Sequence, residues 1–134
     1  MIGRNMMKMV LWAMPLAMLG AMASADPVLG MWKTQPGDDG NFAHVRIYAC
    51  GAEICGVLDQ AFDASGGEVA SDVTGKRMIW DMTAAGAGAY SGGRIWAPDR
   101  DKVYRSKMAL SGDRLSVSGC VGPICRSQEW HRVN

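Results

Sequence analysis

Apolar and polar residues alternate with a period of two through most of the chain after residue 26. This pattern is typical of strands that bury one face. Between residues 41 and 50, for example, Val45 and Ile47 alternate with His44 and Arg46. No apolar period of helical spacing extends beyond a few residues. The pattern therefore predicts eight short strands, at residues 29–34, 41–50, 55–60, 76–82, 93–97, 103–110, 115–120 and 125–133.

Turn-forming segments separate these predicted strands. Residues 84–89 are rich in glycine and alanine, residues 111–113 read Ser-Gly-Asp, and the polar, glycine-containing residues 61–75 predict a long loop. Strands at this spacing suit either an up-and-down barrel or a two-sheet sandwich. The first and last strands can pair with each other and so remove both sheet edges. We therefore favour an all-β fold, an eight-stranded antiparallel up-and-down barrel.

The first 25 residues have the three parts of a secretory signal. Arg4 and Lys8 lie near the start, residues 10–23 are apolar, and Ala23-Ser24-Ala25 offers small residues to a signal peptidase. The apolar run is shorter than the roughly 20 residues that a transmembrane helix needs. We predict a cleaved signal at residues 1–25 and one exported domain at residues 26–134, with no integral membrane segment after cleavage.

The charge of the predicted mature domain is close to neutral. The whole chain has a formal net charge of +1, and removing the signal takes away Arg4 and Lys8 but no acidic residue. Basic and acidic residues are interspersed along the rest of the sequence. Composition therefore gives no electrostatic reason to expect nucleic acid or an acidic membrane as a partner.

Four cysteines form two identical spacings, Cys50 with Cys55 and Cys120 with Cys125. A four-residue hairpin loop would place the cysteines that flank it opposite each other, at disulfide distance. We predict the disulfides Cys50–Cys55 and Cys120–Cys125. The alternatives are the crossed pairing of Cys50 with Cys120 and Cys55 with Cys125, or a four-cysteine metal site. An oxidising compartment favours disulfides.

The two ends of the predicted barrel carry a paired motif. Gly30-Met31-Trp32 opens the first strand, and Trp130-His131-Arg132 closes the last. The combination resembles the lipocalin-type barrels, in which a G-x-W tryptophan packs across the closed end beneath an arginine from the final strand. The resemblance implies that Trp32 is this plug and that Arg132 stacks its guanidinium over the indole as a cation–π contact. Trp130 is then a further structural residue of the last strand.

A closer resemblance covers most of the mature chain. It consists of G-x-W-K-T at residues 30–34, C-x₄-C-G at 50–56, Gly-Arg-Ile-Trp-Ala-Pro at 93–98, and the ending from Gly119 to Arg132. These segments resemble the bacterial domain of unknown function 2147 family. The resemblance implies a periplasmic or secreted lipocalin-like barrel without an established activity. That family usually has Asn-Pro followed by an arginine between the third and fourth strands, whereas residues 61–75 contain neither proline nor arginine. Any site in this segment would be altered.

Catalytic motifs are absent from the sequence. His44 and His131 lie in strands far apart in the chain, and no G-x-S-x-G, H-E-x-x-H or phosphate-binding glycine loop occurs. Asp99 and Asp101 flank an arginine in a predicted turn and provide too few ligands for calcium. We therefore expect no enzymatic activity, no metal and no cofactor.

The last predicted strand points to a binding function. If Trp130 and Arg132 face the barrel interior, then Gln128 and Arg126 face it too, because strand side chains repeat every two residues. The predicted ligand-binding residues are Arg126, Gln128, Trp80, Trp96 and Tyr104. We expect a non-catalytic, extracytoplasmic binding protein for a small amphipathic or hydrophobic molecule. The alternatives are a barrel filled by its own side chains and a structural or protein–protein interaction module of the bacterial envelope. The sequence indicates no oligomeric state.

Overall fold

The computed structural model describes residues 25–134, so the predicted signal lies outside the described residues except for Ala25. This part of the chain contains nine strands and no helix. They are β1 (Gly30–Lys33), β2 (Phe42–Cys50), β3 (Glu53–Phe62), β4 (Glu68–Val69), β5 (Arg77–Gly86), β6 (Ala89–Ala97), β7 (Lys102–Ser111), β8 (Arg114–Val121) and β9 (Ile124–Arg132).

Eight of these strands form a closed antiparallel barrel. The order is β2-β1-β9-β8-β7-β6-β5-β3, and a further pairing of β2 with β3 completes the circle. The remaining strand, β4, is two residues long and pairs only with the end of β3. The predicted fold class and the predicted closure between the first and last strands are confirmed. Closure of the barrel pairs the backbone N–H and C=O groups that the edge strands of an open sheet would leave exposed.

The seam between β1 and β9 is short. In residues 25–134 its strand ladder consists of Trp32 with Arg132 and Lys33 with His131, and backbone hydrogen bonds of Met31 with Val133 and Asn134 continue it past β9. Beyond these pairs, the amide of Glu129 donates to the Gln35 side-chain oxygen at 3.0 Å, so a side chain replaces the next strand residue. The seam is therefore joined by strand pairing at one end of the barrel and separates toward the start of β9.

The joined end is plugged by Trp32, which is 0% exposed. Its indole nitrogen donates to the Val28 carbonyl at 2.9 Å. The Arg132 guanidinium lies 4.4 Å from the ring centroid, the cation–π arrangement that the lipocalin resemblance implies. Arg132 also donates to the Leu29 carbonyl at 3.1 Å and to the Pro27 carbonyl. This arginine thus ties the segment before β1 to the end of β9.

Both predicted disulfides are confirmed, but the predicted four-residue loops are wrong. Strand pairing continues to Cys50–Glu53 and to Val121–Ile124, which leaves turns of only two residues. Gly51 and Gly122 open these turns with positive φ angles of 66° and 55°, a conformation that glycine adopts without steric cost.

The shorter turns give the two disulfides different geometries. Cys120 lies directly opposite Cys125, with a Cα–Cα distance of 4.0 Å. Cys55 instead lies opposite Tyr48, so its bond to Cys50 runs diagonally, with a Cα–Cα distance of 5.9 Å. Each disulfide still fixes the register of its hairpin next to the turn.

Replacing Cys120 and Cys125 together with serine is expected to lower the free energy of unfolding by about 2 kcal/mol, because the bond closes a short loop. Urea unfolding of both proteins under oxidising conditions measures the difference. The Cys50→Ser, Cys55→Ser variant is the matched control, since its loop has the same length. Losses that differ by several kcal/mol between the two variants would contradict the loop-closure explanation.

The structure also extends two predicted strands. β5 continues to Gly86 and β6 begins at Ala89, so most of the predicted turn at residues 84–89 belongs to the sheet. Ala87 and Gly88 form the turn itself, with φ angles of 54° and 81°. Positive φ at both central residues is what a type I′ hairpin turn requires. The predicted loop at residues 61–75 is likewise interrupted by β4, which folds back on the end of β3.

Candidate functional site

A cavity of about 940 Å³ occupies the barrel at the end where β1 and β9 separate, and it is open to solvent. Loop residues 34–41 and the turn after β6 border its mouth. The inner wall is mostly apolar and includes Leu58, Met78, Ile95, Val117 and Trp130. Its volume lies within the range of small-molecule binding sites.

Strand β9 supplies polar side chains to this apolar wall. Arg126, Gln128 and Trp130 all line the cavity, and they pair with Gly119, Val117 and Leu115 of β8. The alternation along β9 thus places these three side chains on one face. Gly119, opposite Arg126, lies next to Ile95 and Tyr104, because an added Cβ there would make ordinary van der Waals contact with both at 3.6 Å.

The orientation of the Gln128 amide is set by Trp130. The Trp130 indole nitrogen donates to the Gln128 oxygen at 3.0 Å. An indole N–H is only a donor, so the glutamine must present its oxygen to it. The two N–H donors of the Gln128 amide therefore remain for another hydrogen-bond acceptor.

Arg126 adds a positive charge two residues before Gln128. The salt bridges in residues 25–134 are formed by four different arginines, Arg46, Arg100, Arg114 and Arg132. In this part of the chain no carboxylate lies within salt-bridge distance of Arg126. Its guanidinium and the two N–H groups of the Gln128 amide provide hydrogen-bond donors side by side, which suits an anionic acceptor.

Aromatic side chains of β6 and β7 also line the cavity. Tyr104 of β7 pairs with Ile95 of β6, and both line the wall. Trp96 lies nearer the mouth, where its indole nitrogen donates to Asp101 at 2.9 Å and the Lys76 ammonium is 5.7 Å from its ring. These contacts hold the indole at the entrance.

Trp80, predicted to line the cavity, lies instead on the outer wall. It pairs with the exposed Arg94, and the Arg77 guanidinium is 5.0 Å from its ring. The register between β3 and β5 shifts twice in this region, and Asp81 has a positive φ of 57°. The preceding residues, Met78 and Ile79, are both buried, so simple alternation fails here and Trp80 faces out.

Loop residues 34–41, which we call the mouth loop, contain polar residues that the sequence analysis did not identify as functional. Asp38, Asp39 and Asn41 line the entrance together with Gln35. The loop is ordered by its own bonds, because the amide of Asn41 donates to Asp39 and the amide of Gly37 donates to the Asn41 carbonyl, both at 2.9 Å. Only the three-dimensional proximity of this loop to β9 links it to the site.

Three titratable groups with shifted pKa values, Tyr90, His44 and Asp63, lie away from the cavity lining. Burial raises the pKa of Tyr90, and its hydrogen bond to Asp26 adds to the shift, so this phenol remains a neutral donor. Burial lowers the pKa of His44, against an opposing effect of Asp59. His44 packs against Phe62 with ring centroids 4.4 Å apart. In residues 25–134, no group of three or more His, Cys, Asp or Glu residues is arranged to hold a metal ion.

Comparison with known proteins agrees with this architecture. Residues 30–132 match the sequence profile of a family described as an uncharacterized protein conserved in bacteria, DUF2147. The chain belongs to the DUF2147 family. No curated protein matches the chain. The family's profile spans every barrel strand from β1 to β9, and so includes the whole cavity wall.

A solved structure has the same fold as this DUF2147 chain. It is described as protein HP1028 from the human pathogen Helicobacter pylori, which belongs to the lipocalin family. The TM-score is 0.67 at 15% sequence identity, over 83% of this chain and 85% of that one. At this identity the similarity establishes a lipocalin-like fold. In the described part of the DUF2147 chain, no helix is long and apolar enough to cross a bilayer.

Proposed function

We propose that this protein is a non-catalytic binding protein for a small amphipathic molecule with an anionic head group. The observation that carries the proposal is the position of Arg126 and Gln128 on one face of β9, at the edge of an open apolar cavity, with no salt bridge to Arg126 within residues 25–134. A cavity of this kind also argues against the alternative of a purely structural envelope module, because that function needs no unfilled interior.

The apolar part of the ligand would occupy the inner wall. Leu58, Met78 and Val117 lie on three different strands around this space, and all three are buried. Each methylene group that leaves water for such a wall contributes about 0.8 kcal/mol. A chain of several methylenes therefore supplies affinity, while the head group supplies orientation.

The acidic head would be held by β9. A carboxylate or similar anion accepts from the Arg126 guanidinium and from the Gln128 amide, whose oxygen is already occupied by Trp130. Charge-assisted hydrogen bonds of this type contribute about 1.5–3 kcal/mol. We propose that binding takes place in the periplasm or outside the cell, which is consistent with the predicted signal at residues 1–25 and with two disulfides.

Paired ligands with one tail and two heads test the proposal. We expect dodecanoate to bind at least about ten-fold more tightly than dodecanol by isothermal titration calorimetry, because only the carboxylate engages Arg126. Arg126→Met should remove this preference while retaining most of the affinity for dodecanol. Arg114→Met on the outer wall, whose arginine pairs with Glu129 at 3.2 Å, is the matched control and should leave the preference intact.

Three results would contradict the proposal. The first is no binding of either ligand at concentrations below micelle formation. The second is equal affinity for the acid and the alcohol. The third is an Arg126→Met variant that still prefers the acid. Thermal unfolding with and without ligand provides a second measurement, since a ligand that binds the folded state raises the midpoint.

A further inference from the structure

One outer face of the barrel gathers positive charge that the sequence disperses. Arg94 of β6 lies directly opposite Arg105 of β7, and Trp80 of β5 lies opposite Arg94 on the other side. Lys107 follows two residues after Arg105 and so shares its face. With Arg77 over the Trp80 ring, these side chains form what we call the basic wall: Arg77, Arg94, Arg105 and Lys107, around Trp80.

The cations of the basic wall are not neutralised. Among the described residues, none of the four takes part in a salt bridge. Arg94 and Arg105 instead donate to the backbone carbonyls of Gly93 and Gly122. Like charges directly opposite each other on neighbouring strands are destabilising, so the protein keeps an unfavourable arrangement here.

Most of the acidic residues lie outside the three strands that carry the basic wall, and Asp81 of β5 is the exception within those strands. Asp59 and Glu68 belong to β3 and β4, and Asp38 and Asp39 belong to the mouth loop. Asp81 follows Trp80 in β5 but forms no salt bridge with the basic wall within residues 25–134. A chain that is nearly neutral overall thus presents one cationic face, and charge patches of this kind attract anionic partners.

We propose that the basic wall docks the protein on an anionic lipid surface. Apolar groups stand among the cations, namely the half-buried Trp80 and Val103, which is 53% exposed and two residues before Arg105. Basic residues bind lipid phosphates, and indoles favour the depth of the head groups. Nucleic acid fits less well, because Arg77 covers the Trp80 ring face that a base would stack on.

Vesicle sedimentation tests this proposal. We expect the protein to bind phosphatidylcholine vesicles that contain phosphatidylglycerol, but not vesicles of phosphatidylcholine alone, and to dissociate as salt is added. Each basic residue near such a surface contributes roughly a five-fold factor in affinity, so Arg94→Gln, Arg105→Gln should weaken binding about 25-fold. The double variant removes a repulsive pair and should not lower the thermal unfolding midpoint.

The matched control is Arg46→Gln, Arg114→Gln. It changes the net charge equally, but its arginines lie on β2 and β8 and pair with Asp59 and Glu129. Equal weakening by both double variants would overturn the proposal, as would absence of vesicle binding. Binding to an oligonucleotide or an acidic polypeptide without binding to vesicles would overturn it as well.

Trp80 supplies a second measurement. A blue shift of tryptophan fluorescence on adding anionic vesicles should be lost in Trp80→Phe, because that indole would enter the interface. An unchanged shift in this variant would contradict docking through the basic wall. None of these results depends on the ligand proposed for the cavity, since Arg126 lines the cavity, does not belong to the basic wall and is kept in every variant.

Discussion

Replacing Trp32 with alanine is expected to lower the free energy of unfolding by about 3–5 kcal/mol. The indole is 0% exposed and plugs the joined end of the barrel, so its removal leaves a cavity. It also leaves the Val28 carbonyl without its donor and Arg132 without its ring. A small domain is stable by only about 5–15 kcal/mol, so the thermal midpoint should fall by more than about 10 °C.

The matched control for Trp32→Ala is Trp96→Ala. This change deletes the same atoms from a half-buried indole at the mouth, where solvent fills the space that is lost. We expect less than half of the destabilisation in urea or thermal unfolding. If the two variants lose equal stability, the packing of Trp32 at the joined end is not the main source of its contribution.

The barrel could be predicted because its strands follow simple physical rules. Alternation with a period of two located all eight barrel strands, and the comparable first and last strands indicated closure. The details of the turns could not be predicted in the same way. Gly51-Ala52 and Gly122-Pro123 form two-residue turns, because strand pairing continues inside the span that each disulfide closes. Cysteine spacing alone did not distinguish this from a longer loop.

The candidate site was predicted where a strand is regular and missed where it is not. Pairing of β9 with β8 continues without a shift, so the face shared by Arg126 and Gln128 could be counted from Trp130. The surroundings of β5 contain register shifts, and Trp80 consequently faces outward. Bulges change which face a side chain takes, and their positions depend on tertiary contacts that a sequence pattern does not record.

The basic wall shows a different limit of sequence-based prediction. Arg94 and Arg105 are eleven positions apart in the chain, and acidic residues lie between them at Asp99 and Asp101. They become neighbours only through the register of β6 with β7. The even distribution of charge along the sequence therefore provided no electrostatic reason to expect an acidic membrane partner, whereas strand register brings Arg94 and Arg105 together on one face.

Replacing Arg132 with methionine is expected to lower the free energy of unfolding by about 2–4 kcal/mol. Methionine keeps an apolar stem over Trp32 but loses the cation–π contact and the bonds to the Leu29 and Pro27 carbonyls. Hydrogen bonds from charged donors contribute about 1.5–3 kcal/mol each, and a cation–π contact about 0.5–2 kcal/mol. Urea unfolding with the disulfides intact measures the loss.

A variant of its ion-pair partner separates the possible sources of this effect. Arg132 also contacts Asp113 at 3.3 Å, but that carboxylate side chain is 85% exposed, and such pairs contribute little. Asp113→Asn should therefore change stability by less than about 1 kcal/mol. A loss as large as that of Arg132→Met would mean that the surface ion pair, rather than the carbonyl and indole contacts, joins the barrel ends.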